Sequence, residues 1–439
     1  MSSPGWLALA GLVFCASCAT GKDRSAAAIS AALEARAGAG VPRSHVEGSS
    51  PQGVNLADGA DEREIVALAL WNNPGLRASL ADLGLSEADL IAARTPRNPN
   101  LSLLDPVGSG LLEGAIAIPI DLLRRPARID AARDRLERAR QSVVQNGLAL
   151  ARDARTGIAD LARARDRAAL LDEDAKAAAK LVELAEKAQA LGRGRGIDTA
   201  TAHAAAADSE IAAERARNDA ALALIALETL VATPLDIVTV SDIGGRSAAD
   251  ADVLKSAAAR RPDIFAADLA VDAARRDLDG VALDVLQPGA IIDLGQEQGE
   301  KLKVSAGASV NIPLFDRGQA ARARAQAILD RALAERDGLR LLIDQQIDAA
   351  LGNLETARRT LAMIDEDLLP AAERRLTVAE AALGLGRASL LEVTLARRDL
   401  IAARLQRADA VAAYSRAAAD LKFGAGSDVV VASSEGSIP

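Results

Sequence analysis

Residues 191–198, with the letters LGRGRGID, combine glycine and arginine at a spacing found in phosphate-binding loops and in nucleic-acid-binding elements. The alternation consists of Gly192, Arg193, Gly194, Arg195 and Gly196. A dinucleotide-binding loop needs a strand before its glycines, whereas residues 173–190 are helix-forming and amphipathic. The pattern therefore predicts a turn between two helices rather than a ligand loop.

The charge balance argues against a nucleic-acid partner. The chain carries 52 Lys and Arg against 61 Asp and Glu, which gives a net charge of −9. Its arginines are interleaved with carboxylates, a pattern typical of solvated helix faces and not of a basic patch. We expect no nucleic-acid binding.

Residues with catalytic or metal-binding chemistry are few. The two histidines, His45 and His203, fall in a polar loop and on a helix, without the spacing of metal ligands. The sequence contains no G-x-S-x-G, H-E-x-x-H or Walker motif. We expect no enzymatic activity, no cofactor and no metal site.

The N-terminal segment has the pattern of an export signal. Residues 6–14 form an apolar run that is too short to span a membrane, and the letters CASC follow at 15–18. They resemble a bacterial lipoprotein box, which predicts a signal peptide over 1–17 and lipid attachment at Cys18. The alternatives are simple secretion and a C-x-x-C redox or metal pair. Residues 18–60 are then predicted to be an N-terminal arm or linker.

A tandem duplication explains the place of the glycine loop. The letters LGRGRGID recur 194 positions later as LGRASLLE, and the matched pairs are Gly192 and Gly386, Arg193 and Arg387, and Asp198 and Glu392. Two further pairs follow the same order, Pro74 with Pro262 and Pro119 with Pro313. The sequence thus predicts repeats over 61–232 and 252–423, a linker over 233–251 and a flexible tail over 424–439.

Each repeat contains the same predicted elements. A first helix leads to a strand pair, then come a long helix, a tip and a return helix; the strand pairs fall at about 99–120 and 289–314, and the tips at about 191–198 and 384–391. Predicted helices span about 61–95, 123–190, 198–231, 252–284, 317–383 and 391–422. Pro119 and Pro313 mark the strand–helix junctions. Aromatic residues make up only 2% of the chain, so these helices must pack closely through small side chains.

The sequence resembles the TolC-type outer-membrane efflux proteins over residues 61–423. The resemblance rests on N-N-P-x-L at 72–76, on IPIDLLRRPARI and IPLFDRGQAARAR at the two strand–helix junctions, and on the second tip, LGRASLLEVTLARRDLIAARL. It implies a mainly α fold with a small β part, built from tandem-duplicated long antiparallel helical hairpins. It also implies a homotrimer with an α-barrel and a shared twelve-stranded β-barrel, to which each protomer gives four strands.

The resemblance further implies roles for single residues. The two tips would close the periplasmic entrance or contact a periplasmic adaptor protein, which assigns Gly192, Arg193, Gly194, Gly386 and Arg387 to that surface. Asp198 and Glu392 would place carboxylates near the entrance, although each also falls in a first helical turn, where a negative charge stabilises the helix dipole. Cys18 would anchor the protein in outer-membrane lipid.

The implied function is passive export. The chain would conduct substrates that an inner-membrane pump and its adaptor deliver across the periplasm and the outer membrane. A type I protein-secretion duct has the same architecture, and a non-conducting periplasmic helical scaffold is a third possibility. The strand pairs favour a channel over a scaffold, and the sequence does not separate drugs, metals, other solutes and polypeptides as substrates.

Overall fold

The structure, a computed structural model, is dominated by long helices. It describes residues 19–42, 51, 54, 59–95, 98, 100–104, 112–119, 125–192, 194–235, 238, 251–286, 289–296, 303–309, 315 and 317–427. Within these ranges, no helix is long and apolar enough to cross a membrane.

An N-terminal helix precedes the first repeat. The elements are α1 (Ala19–Ala37), α2 (Glu62–Asn72), α3 (Pro74–Arg94), β1 (Asn100–Leu104), β2 (Leu112–Pro119), α4 (Arg125–Ala190) and α5 (Gly196–Val231). The sequence pattern did not predict α1. Its side chains Ile29 and Leu33 are fully buried, and a Cβ atom at Gly147 would lie 2.7 Å from Leu33 Cδ2. The apolar spacing of four residues is hard to recognise in this alanine-rich stretch.

The second repeat has the same order with one difference in its long helix. The elements are α6 (Ala251–Ala258), α7 (Pro262–Leu286), β3 (Gly289–Gln296), β4 (Lys303–Ser309), α8 (Gln319–Met363), a π segment (Ile364–Leu368), α9 (Leu369–Gly384) and α10 (Leu390–Ala425). Where the sequence predicts one continuous helix over 317–383, the structure contains the π segment. It is followed by Pro370, which lies in the first turn of α9.

The first helix of each repeat is broken once, because proline has no amide N–H and disfavours a helical residue before it. In the first repeat the break falls at Asn73, whose ψ is 122° and whose Oδ1 accepts a hydrogen bond from the Leu76 amide at 3.1 Å. Pro74 then begins α3, and Pro262 begins α7 in the same way.

The four strands form one antiparallel sheet in the order β1-β2-β3-β4. Ile116 of β2 pairs with Leu101 of β1 and with Ile292 of β3, and Ile292 in turn pairs with Ala306 of β4. The central β2–β3 ladder joins the two repeats. The prediction of a mainly α fold with four strands in each chain is confirmed.

The chain divides into two compact units. One comprises Met1–Ser25, Ala78–Gln145 and Arg261–Leu342, and it contains the sheet. Its helices pack through Val271, Ala274 and Ala332. The other comprises Ala26–Arg77, Asn146–Arg260 and Ile343–Pro439, and it contains both tips. Among its described residues, alanine and leucine predominate in two clusters, which are Leu171, Ala175, Ala213, Ala216 and Ile401, and Ala372, Leu400 and Ala403.

In the second unit, the start helix of each repeat forms an ion pair with the long helix of the same repeat. Glu62 of α2 contacts Arg155 of α4 at 2.8 Å and Lys422 of α10 at 3.4 Å. Lys255 of α6 contacts Asp348 of α8 at 2.7 Å. The long helix contributes the basic residue, Arg155, in the first repeat and the acidic residue, Asp348, in the second.

Candidate functional site

The first tip is a glycine turn between α4 and α5. Gly192 has a φ of 69°, a left-handed conformation that glycine adopts without strain, and its amide donates to Gln189 O at 2.9 Å. The Gly194 amide donates to Ala188 O at 2.9 Å. A Cβ atom at Gly194 would lie 2.9 Å from the Gln189 nitrogen, so this position has no room for a side chain. Arg193 lies outside the described residues.

The second tip repeats this geometry. Gly386 has a φ of 68°, and its amide donates to Leu383 O at 2.9 Å while the Arg387 amide donates to Ala382 O at 2.8 Å. These two bonds form a Schellman motif, which satisfies the last carbonyl groups of a helix. Both glycine tips are therefore helix-reversing turns.

The carboxylates at matched positions of the two repeats, Asp198 and Glu392, both cap a helix. Asp198 accepts hydrogen bonds from the Arg195 amide at 3.4 Å and from Arg195 Nε at 3.1 Å, and the Arg195 side chain lowers the pKa of Asp198. Glu392 accepts a hydrogen bond from the Ser389 amide at 2.6 Å, and its own amide donates to Ser389 Oγ. Ser389 and Glu392 form a capping box. At the first tip only half of that motif is present, because the Arg195 side chain has no acceptor atom and the Asp198 amide donates to the Arg195 carbonyl instead.

Both tips also carry exposed apolar side chains at matched positions, and we call each set a tip patch. The first tip patch is Leu184, Leu191 and Ile197, exposed by 53%, 71% and 65%. The second is Val378, Leu385 and Leu391, exposed by 68%, 71% and 53%. The members lie 194 positions apart, so the duplication has kept apolar side chains where solvent would favour polar ones. The recurrence of apolar letters in an otherwise polar turn could have revealed them in the sequence.

A charged junction lies on the tip side of the second unit. The Asp174 carboxylate of α4 accepts from Arg397 Nε of α10 at 3.1 Å and from Ser209 Oγ of α5 at 2.8 Å. The side chains of Asp174 and Arg397 are each only 14% exposed. Arg397 also donates to the Asp174 carbonyl at 2.9 Å. The sequence pattern did not identify this junction, which joins the two repeats near their tips.

The remaining predicted residues lie apart from the tips in sequence. Pro119 is the last residue of β2 and pairs with Gly289 of β3. Pro313 and Cys18 lie outside the described residues. Among the residues that are described, no group of three or more His, Cys, Asp and Glu side chains could hold a metal ion. His203 Nε2 lies 3.0 Å from Glu186 Oε1, across the first hairpin.

Known proteins resemble this chain in sequence and in fold. No protein-family model matches the chain. It is 25% identical over 354 residues to the cobalt-zinc-cadmium resistance protein CzcC of Cupriavidus metallidurans, covering 78% of this chain and 84% of CzcC.

Two solved structures share the fold. A membrane protein from Pseudomonas aeruginosa superposes with a TM-score of 0.72 and 20% identity, over 87% of this chain and 98% of that one. The open state of the Neisseria gonorrhoeae outer-membrane channel MtrE superposes with a TM-score of 0.69 and 16% identity, over 86% and 93%. The predicted resemblance is confirmed: this chain has the fold of the TolC-type outer-membrane channels.

Proposed function

We propose that this chain is the outer-membrane channel of a tripartite efflux system. It conducts passively the substrates that an inner-membrane pump and a periplasmic adaptor deliver. The observation that carries the proposal is the duplicated pair of long helical hairpins with a four-stranded sheet, in the fold of an outer-membrane channel. We assign no catalytic role to the chain.

The working form in this proposal is a homotrimer. Strands β1 and β4 are the edges of the sheet, and neither has a second neighbour among the described strands. An open edge exposes unpaired amide and carbonyl groups. Pairing β4 of one copy with β1 of the next would satisfy them, and three copies would supply twelve strands to a shared barrel.

The tips are the contact surface for the adaptor in this proposal. Their glycines, Gly192, Gly194 and Gly386, allow the tight reversal, and the two tip patches offer apolar side chains that a partner would cover. Arg193 and Arg387 add positive charge beside them. Exposed apolar residues grouped at one site are typical of protein–protein contacts.

Asp198 and Glu392 have a second proposed role near the entrance, as carboxylates that favour cations. Their capping bonds leave the charge in place, so both roles are compatible. We expect the double variant Asp198→Asn, Glu392→Gln to alter ion selectivity in planar bilayers. An unchanged selectivity with a folded trimer would leave capping as their single role.

The proposed location is the outer membrane, with the helices extending into the periplasm. Cys18 would carry the lipid and hold the N-terminus at the membrane. Labelling with a radioactive fatty acid tests this directly, because Cys18→Ser would abolish incorporation whereas Cys15→Ser would retain it if Cys18 is the lipidated residue.

Divalent transition-metal ions are the first substrate class that we propose to test, since the sequence relative CzcC is a cobalt-zinc-cadmium resistance protein. The described residues hold no metal cluster, which fits a duct that conducts ions and leaves their selection to the pump. Deleting the gene should then raise cellular zinc and cobalt. Export of a polypeptide without any change in metal content would favour the secretion duct.

Electron microscopy of particles extracted with mild detergent tests the proposal as a whole. A hollow threefold cylinder longer than about 100 Å, the length of a helix of 66 residues, with a detergent belt at one end, is the expected result. Monomers or thin rods without a belt would contradict it and favour the scaffold.

A further inference from the structure

The two long helices carry the same Asp-Glu-Asp triplet, at residues 172–174 and 365–367. The triplets lie 193 positions apart, whereas the tip glycines Gly192 and Gly386 lie 194 apart. The second repeat thus has one extra residue between triplet and tip. The second triplet lies within the π segment, and Leu368, the last residue of that segment, follows it directly. The i→i+5 bonds of a π segment accommodate an additional residue in a helix.

Buried positions follow the same rule. Before the π segment they recur at a spacing of 193, in the pairs Leu150 and Ile343, Ala154 and Ile347, Leu161 and Leu354, Ala164 and Ala357, and Leu171 and Ile364. After it, Ala178 and Ala372 are both buried at a spacing of 194. These buried positions of the two long helices therefore correspond to one another.

Because of this correspondence, Asp174 and Arg397 of the charged junction each have a counterpart in the other repeat. Asp174 corresponds to Asp367, which is exposed and forms no hydrogen bond or ion pair with any described residue. Arg397 corresponds to His203, whose side chain is 58% exposed and which lies against Glu186 of its own hairpin. Within one chain the two counterparts are not joined.

The return helices α5 and α10 differ in burial, and this difference explains why His203 and Asp367 are not joined within one chain. Fourteen residues of α10 are buried but only five of α5. On α5, the side chains Ile211, Leu222 and Ile225 are more than half exposed. Their counterparts on α10 are covered: Leu405 packs against the Leu171 cluster, Arg416 pairs with Asp160, and Ala419 is 2% exposed.

Beyond its own repeat, α10 is covered by the first repeat of the same chain, through the Leu171 cluster and the pair of Asp160 and Arg416. The exposed face of α5 therefore corresponds to the face of α10 that the first repeat covers. In a closed ring of three copies, first and second repeats alternate. Each first repeat then meets the second repeat of the neighbouring copy, at a seam equivalent to the one inside the chain.

We propose that His203 of one copy and Asp367 of the neighbouring copy form an ion pair across this seam, as the counterpart of Arg397 and Asp174. The inference rests on the proposed trimer. The ion pair between Asp160 and Arg416 has no equivalent at the seam between copies, because the counterparts of these residues are Asn353 and Leu222.

Three carboxylates face His203 in this arrangement, and the neighbouring copy adds Arg375, the counterpart of Leu181, which is paired with Asp399. Glu186 faces it from its own α4, and Glu366 and Asp367 face it from the neighbouring π segment. An imidazole becomes positive as the pH falls through the range of about 5 to 8. The seam between copies is therefore stronger at low pH, whereas the seam within the chain holds an arginine that stays charged.

Cysteine cross-linking of the full-length protein in membranes tests the pair. The double variant His203→Cys, Asp367→Cys should give covalent dimers and trimers on a non-reducing denaturing gel, and each single variant should not. The matched control is Asp174→Cys, Arg397→Cys, which should close within one chain and run as a monomer. A native trimer in which the control closes but positions 203 and 367 do not would overturn the pair alone. A wild-type protein that is monomeric by native mass would overturn the trimer as well.

A second measurement does not depend on introduced cysteines. Wild-type trimers should dissociate at a higher temperature at pH 5.5 than at pH 8, whereas His203→Arg should remove most of that difference. Glu186→Gln is the control for the contact within the hairpin, and it should leave the pH dependence in place. A pH dependence that is equally large in His203→Arg and Asp367→Asn would contradict the proposal.

Discussion

The two repeats share a set of buried positions on their long helices and the same tips, yet their outer faces differ. The first has an unbroken long helix and a return helix with five buried residues, while the second has a π segment and a return helix with fourteen. Positions that pack within a hairpin must satisfy the same neighbours in both copies. Positions on the outside meet different neighbours, so after a duplication only these are free to diverge.

Deleting one residue from a long helix is the most severe test of the correspondence between the two long helices. Removing Ala175 from α4 would rotate everything beyond it by about 100° and take Ala178 out of the core, so we expect loss of assembly. Removing Leu368 instead deletes the residue that the π segment absorbs, and the trimer should persist. Native gels after heating compare the two, and equal damage would refute the assigned register.

Arg397→Ala should be the most damaging substitution near the tips. It leaves the Asp174 carboxylate buried without its cation, for which a loss of about 3–5 kcal/mol is usual. His203→Ala, at the matched position of the first repeat, should change the stability of the isolated chain by less than about 0.5 kcal/mol because that contact is exposed. Denaturant titrations of detergent-dispersed monomer would compare the two, and similar losses would argue against the burial difference.

Substitutions in the ion pairs of the start helices α2 and α6 should cause intermediate losses of stability. Glu62→Gln should destabilise by about 1–2 kcal/mol at pH 7, since Arg155 is buried but Glu62 itself is half exposed. Lys255→Gln should have a smaller effect, because Asp348 is exposed. The same denaturant titrations measure both.

The pH dependence of the Glu62 contribution has a definite sign. Burial alone would raise the pKa of Glu62, but the charges of Lys422 and Arg155 outweigh it and lower the pKa. The contribution is therefore present above the ordinary value of 4.5 and is lost as the pH falls through the lowered one. An effect of Glu62→Gln that grows below pH 4 would contradict this.

The tip glycines should have smaller effects than Arg397. Gly192→Ala and Gly386→Ala should each destabilise by about 1 kcal/mol, because both have positive φ and no atom obstructs the new Cβ. Gly194→Ala should be worse, owing to its contact at 2.9 Å. Hydrogen exchange of the flanking amides would resolve these differences, and unequal values for Gly192 and Gly386 would show that the two tips are not equivalent.

Several features were within reach of the sequence. Repeated glycines and prolines predicted both tips, the start of α3 and α7, and the two strand regions, because each depends on local backbone chemistry. The junction at Asp174 depends on Ser209 and Arg397, which are distant in sequence, and charged residues are too common in these helices to single it out. The π segment follows from a change of spacing that becomes visible only once the buried positions are known.

The reversed charges on the start helices have a consequence for folding. A duplicated chain can place a start helix against the wrong long helix, since both offer similar apolar stripes. Glu62 in that misplaced arrangement would meet Asp348, and Lys255 would meet Arg155. Both encounters are repulsive, so the reversed charges disfavour the misplaced arrangement.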